Sequence, residues 1–249
     1  MIIGWKETGT YHIAEGLPCQ DAFSSAEHEG TAAIALSDGA GSYPHSEIAS
    51  TAVSEALSKY AASHFDELYT LEDADLKKKI LSVARETVEA ENPGMHAKCT
   101  LLLFASRHEK SFLMHIGDGG AIAVNEEGSP LILSYPENGD SPNITFFLDG
   151  VEAERHLRLK RDLHDHLSSL LLCSDGVYGS LFDVNGKTIA PAVGIMDSWL
   201  RSGNQEAAEE KLRKAMRNIF AENTADDVSI IMQSFDCMQQ VQLPEEFIQ

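Results

Sequence analysis

Positive charge is scarce in this sequence. Nineteen Lys and Arg stand against 39 Asp and Glu, a formal charge of -20 over 249 residues. A binder of nucleic acid or of an anionic membrane needs a basic face, and none can be read here, so neither partner is expected. The acidic runs, such as Glu72-Asp-Ala-Asp75 and Glu206 to Glu210, read as solvated helix faces. Cysteine is equally sparse. Cys19, Cys99, Cys173 and Cys237 form no Cys-x-x-Cys pair, so neither a disulfide framework nor a thiolate zinc site is indicated. No run approaches a membrane span, and Met1 to Thr8 lacks the basic start, apolar stretch and cleavage site of a signal peptide. The expectation is a reduced, cytoplasmic protein.

Apolar content is ordinary for a chain with a full core, which makes one domain over 1–236 with a tail at 237–249 the first expectation. Helical spacing of apolar residues predicts one helix from Pro44 through Tyr60, and a second over Asp73 to Ala90 that stops at Asn92-Pro-Gly94. A third runs over Gln205 to Phe220, with Ala208, Leu212, Ala215, Met216 and Ile219 as its stripe. Strands are predicted at Thr31 to Ser37, Thr100 to Ser106, Ser111 to Ile116, Ala121 to Val124, Leu131 to Ser134, Ser168 to Cys173 and Val228 to Phe235. Hairpin-length links between several of them favour antiparallel pairing, and the grouping of helices and strands indicates a layered α+β domain. Tyr135 to Arg161 reads as an irregular excursion from the core.

Three of the apolar runs end alike, in Ser37-Asp-Gly39, Gly117-Asp-Gly119 and Ser174-Asp-Gly176. One Asp-Gly is a routine turn former; three, each closing a strand, call for another explanation. A fourth acidic pair, Asp226-Asp227, precedes the last strand. Carboxylates gathered at one edge repel each other, and hard divalent cations with oxygen ligands resolve that conflict. Glycine beside each Asp lets the backbone approach the ion. Two ions roughly 4 Å apart would acidify a water for in-line attack on phosphorus, so the implied chemistry is phosphate-ester hydrolysis.

In order and spacing, Cys19-Gln-Asp-Ala-Phe23, Ser37-Asp-Gly-Ala-Gly41, Ile116-Gly-Asp118, Leu172-Cys-Ser-Asp-Gly176 and Asp226-Asp-Val-Ser-Ile-Ile231 resemble the motifs of metal-dependent serine/threonine protein phosphatases of type 2C, in their bacterial form. The resemblance implies a four-layer α-β-β-α sandwich of two antiparallel sheets flanked by helices, with 135–161 as a flap beside the site. It implies that Asp38 bridges two Mn2+ or Mg2+ ions, with the Gly39 carbonyl on one of them. Asp175 and Asp226 would complete the first ion's carboxylates, Asp118 would help hold a third, more labile ion, and Asp21 would hold metal-bound water, which gives Asp38 and Asp21 catalytic roles. The implied partner is a phosphorylated protein, with a cognate Ser/Thr kinase beside it in signal transduction.

Three departures stand out: Gln20 where many members have Glu, Gly16 where many have a phosphate-gripping arginine, and Ala40 where some eukaryotic members have histidine. No Arg or Lys lies between Lys6 and Lys59, which leaves phosphate to the metals, to backbone amides or to a neighbour such as His12. For His12 and His45 alike, surface or packing histidine is the commoner role. His164-Asp-His166 reads as solvated, and Cys19 and Cys173 as small packing residues. Gly117-Asp-Gly-Gly120 lacks the Lys-Ser/Thr ending of a phosphate-cradling loop. Gln20 and Gly16 motivate the alternative reading, a catalytically weak regulatory module with this fold that binds a phosphoprotein or kinase.

Overall fold

The computed structural model describes residues 1–139, 145–163, 166–183 and 188–235. The expected tail at 237–249, Cys237 and the His164-Asp165 pair lie outside the described residues. One sheet is ordered β1 (Ile2–Glu7), β12 (Val228–Ser234), β9 (Leu167–Cys173), β6 (Gly120–Asn125) and β7 (Pro130–Ser134). The other is ordered β2 (Asp21–His28), β3 (Thr31–Asp38), β4 (Leu101–Arg107), β5 (Lys110–Ile116) and β8 (Arg158–Arg161). Every pairing in both is antiparallel, and a short pair, β10 (Phe182–Asp183) with β11 (Thr188–Ile189), stands apart.

Strands β3, β4, β5, β6, β9 and β12 are buried on both faces, which is why they read as continuous apolar runs. Ile34, Leu36, Leu102, Phe104 and Leu113 of one sheet meet Ala121, Ala123, Leu170, Leu172 and Ile231 of the other to form the central layer. Alternate residues such as Ala33, Ala35, Leu101 and Leu103 face outward onto helices. That outer layer is α2 (Ser46–Ser63), α3 (Phe65–Thr70), α4 (Asp73–Glu91) and the single turn α5 (Ala153–His156). Helix α2 presents Ala49, Ser50, Val53 and Ser54 to the sheet, and these small residues let it lie close. The opposite outer layer is α6 (Asp175–Leu181), α7 (Ala192–Arg201) and α8 (Gln205–Ala215). A short N-terminal helix, α1 (Thr10–Glu15), joins β1 to β2. The result is the expected α-β-β-α sandwich.

Two local expectations are corrected. Pro44 does not open α2; His45 adopts a left-handed φ of 64° and the helix begins at Ser46. Ile219 is exposed instead of lining the core, because α8 gives way to a π-helical turn over Met216–Phe220. The wider turn rotates Ile219 outward while keeping Met216 and Phe220 buried. Within 135–161, Arg158–Arg161 pairs with β5 as an edge strand, and 140–144 lie outside the described residues.

Candidate metal centre

The chain brings carboxylates from both sheets to one end of the sandwich. Asp38 is the last residue of β3, and its partner across the ladder is Asp21, the first of β2. Asp118 sits in the link by which the chain leaves β5 in one sheet and enters β6 in the other. Asp175 opens α6, two residues beyond the end of β9. Oxygens of Asp38, Asp118 and Asp175 all lie within 4.8 Å of one another. The sequence suggested one sheet edge. That geometry holds for the β2–β3 and β9–β12 pairs, but the full set is assembled by the face-to-face packing of two sheets.

Asp38 is pinned by its backbone. Its N–H donates to the Thr100 hydroxyl at 3.0 Å, and its carbonyl accepts from Thr100 N–H at 2.8 Å. Gly39 N–H then donates to the Gln20 carbonyl, and Ala40 N–H to that of Lys98. A Cβ at Gly39 would stand 2.8 Å from the Ser46 carbonyl oxygen and 2.9 Å from that of Gln20, so only glycine lets the start of α2 close over the turn.

Electrostatically the cluster is unbalanced. Burial first, then the charges of Asp21, Asp175, Asp118 and Asp226, push the Asp38 carboxyl well above the usual carboxylate range. Burial, then Asp118 and Asp226, raises Asp175 to about 8. Burial raises Asp118 too, against a hydrogen bond from the Thr145 hydroxyl. Asp21 is 1% exposed and raised to about 6, mainly by burial, with the Ser229 and Ser174 hydroxyls pulling the other way. One oxygen each of Asp21 and Asp118 is buried without a hydrogen-bond partner. Buried oxygens that repel each other and lack donors fit a divalent cation, which supplies the missing positive charge.

Asp226 is exposed and outside the tight trio, though close enough for its charge to act on all three. Its neighbour Asp227 behaves differently. At 2% exposed, Asp227 accepts from Gly9 N–H at 2.7 Å and Gln20 N–H at 2.6 Å, and its Oδ2 lies 2.9 Å from His12 Nδ1. Sequence reasoning named the pair but gave Asp227 no role; a signal was available only in its position beside a buried strand. Thr145 and Thr100 were missed as well, since single threonines carry no pattern.

Other named residues settle simply. His45 is exposed, with Nδ1 3.5 Å from Glu47. Burial pushes the Cys173 thiol up to about 12 and the Cys19 thiol higher still, as suits packing residues. Gly16, in the arginine's place, caps α1 with a left-handed φ of 67°. A glycine suits that conformation, and a larger side chain there would be strained.

The Protein phosphatase 2C family model matches residues 8–217. The chain belongs to the protein phosphatase 2C family. A curated relative, serine/threonine-protein phosphatase 3 of Escherichia coli (strain K12), is 30% identical over 159 residues. That stretch takes in 60% of this chain and 62% of the relative. Among solved structures, the serine/threonine phosphatase Stp1 of Staphylococcus aureus superposes with a TM-score of 0.64 at 16% identity, covering 95% of each chain. PppA of Pseudomonas aeruginosa gives 0.61 at 19% identity, covering 94% of this chain and 97% of its own. These two likenesses are in fold: the same two antiparallel sheets with helices outside. Asp226 lies beyond the stretch matched by the 2C family model, so its place at the site rests on its own geometry.

Proposed function

We propose that this chain is a manganese- or magnesium-dependent protein phosphatase that hydrolyses phosphoserine and phosphothreonine monoesters. The observation that carries this reading is the trio Asp38, Asp118 and Asp175, drawn from two sheets with ligand oxygens within 4.8 Å. Asp38 and Gly39 would hold two ions between them, Asp175 and Asp226 would complete one, and Asp118 would serve a further ion. When bound, the ions supply Lewis acidity toward phosphoryl oxygen and a water acidic enough to attack phosphorus at neutral pH. The chain's own part is positional. The Thr100 and Gln20 contacts fix Asp38 in place, and Asp21 behind it offers a buried carboxylate oxygen to orient or accept a proton from a water. A phosphorylated protein is the substrate class, and a Ser/Thr kinase acting on the same protein the natural counterpart. The intact carboxylate set weighs against the alternative of a binding module without turnover.

The test is hydrolysis of an aryl phosphate and of a phosphoserine or phosphothreonine peptide by the purified chain with added manganese. Activity should vanish in chelator and be far lower on a phosphodiester. Equal rates with and without metal, or a preference for diesters, would overturn the reading.

A further inference from the structure

We infer that His12 contacts the substrate phosphate and takes the place of the absent arginine; this rests on the phosphatase reading above. The arginine's usual position cannot serve, since Gly16 carries no side chain there and its left-handed φ of 67° disfavours a larger residue. No Lys or Arg occurs between Lys6 and Lys59. His12, in contrast, is built into the site. It is only 4% exposed, and Nδ1 is the inward nitrogen, 2.9 Å from Asp227 Oδ2. Asp227 is itself fixed by the Gly9 and Gln20 amides, so the imidazole cannot swing freely. With Nδ1 beside Asp227, the other ring nitrogen is Nε2, and among the described residues no hydrogen bond occupies it.

Nε2 faces Gly41, at the end of the turn that starts at Asp38. A Cβ placed on Gly41 would lie 4.0 Å from His12 Nε2 and 3.7 Å from Gln20 Oε1. Gln20 is 4% exposed, and Oε1 is buried with no hydrogen-bond partner. The bare glycine, the outward imidazole nitrogen and the unpartnered amide thus line one small polar recess at Gly41, in the turn that follows Asp38. An N–H on Nε2 is a donor that can reach a phosphate oxygen while Nδ1 stays beside the Asp227 carboxylate. The Gln20 amide, turned by half a revolution, adds an N–H donor to the same recess. Asp227 is therefore a positioning residue and His12 the phosphate contact.

The experiment measures inorganic phosphate binding to the manganese-loaded full chain by calorimetry, with manganese binding measured separately. H12A should weaken phosphate about tenfold or more while leaving manganese affinity unchanged, and H12Q, which keeps a donor, should lose less. G41A supplies a second variant should H12A fold poorly: its Cβ meets only ordinary contacts, yet it narrows the recess, and it should weaken phosphate as well. Unchanged phosphate affinity in the folded variants overturns the inference. So does a defect confined to alkyl over aryl phosphates at unchanged phosphate affinity, which would make His12 a leaving-group acid. Turnover by the wild type reports separately: its absence beside His12-dependent phosphate binding would sink the phosphatase reading and leave this one standing.

Discussion

Asp21 and Asp38 face each other across the β2–β3 ladder, the first residue of one strand opposite the last of the next. Two carboxyls in that register, with Asp175 and Asp118 close to Asp38, hold protons more tightly in the folded chain than in the unfolded one.

The metal-free chain should therefore lose stability as pH rises. Asp21 is raised to about 6 and Asp175 to about 8, both above their unfolded values. Their stabilising share is fully present below the ordinary carboxylate range, and it is lost as pH climbs through the raised values. Thermal melts in chelator should give a lower Tm at about pH 8.5 than at about pH 5.5, and manganese should close the gap. A Tm in chelator that rises across this window would contradict the account.

Neutralising one carboxylate should separate activity from stability. Asp38→Asn and Asp175→Asn are each expected to cut manganese-dependent hydrolysis by about 100-fold or more, because a ligand and a charge are lost. In chelator the same variants should melt no lower than wild type, since a carboxyl that must hold a proton or repel its neighbours has gone. Parallel assays of turnover and melting decide it.

The neighbours Asp226 and Asp227 should part company under substitution. Asp227→Ala strands the Gly9 and Gln20 amides and the inward nitrogen of His12, at a cost of about 2–4 kcal/mol. Asp226 is exposed, so Asp226→Ala should leave denaturant stability within about 0.5 kcal/mol while lowering activity. Urea unfolding of both variants provides the comparison.

Two glycines of α6 offer an internal control. A Cβ at Gly176 would stand 2.2 Å from the Asp227 carbonyl oxygen, whereas at Gly179 it would meet nothing within 4 Å. Gly176→Ala should cost about 1–3 kcal/mol by forcing the backbone apart. Gly179→Ala should be neutral or stabilising by up to about 1 kcal/mol through helix propensity. Equal effects would show that the close approach of α6 to the Asp226-Asp227 segment carries no weight.

What the sequence made legible follows from where energy is concentrated. Strands β3 to β6, β9 and β12 are buried on both faces, so their apolar runs announce them to within a residue or so. Strand β2 did not stand out, because Ser24, Ser25 and Glu27 are poor strand formers held by pairing to β3 and by α2 above. The edge strands β1 and β8 carry Gly4, Lys6 and three basic residues respectively, and neither has a readable period. Asp38, Asp118 and Asp175 were visible because each ends an apolar run at an Asp-Gly pair. The contrast between Asp226 and Asp227 was not, since which of two adjacent carboxylates turns inward is fixed by backbone direction at the mouth of β12. The His12–Asp227 pairing joins opposite ends of the chain and has no local signature.

The link at Gly117–Gly119 carries the chain from one sheet to the other, so Asp118 rides on the seam while Asp38 and Asp175 ride on opposite sides of it. A cation gripped by all three would act as a clasp between the two halves of the sandwich. Any slippage of one layer over the other would then change the spacing of its jaws, which couples the mechanical alignment of the whole body to the hold on a single ion.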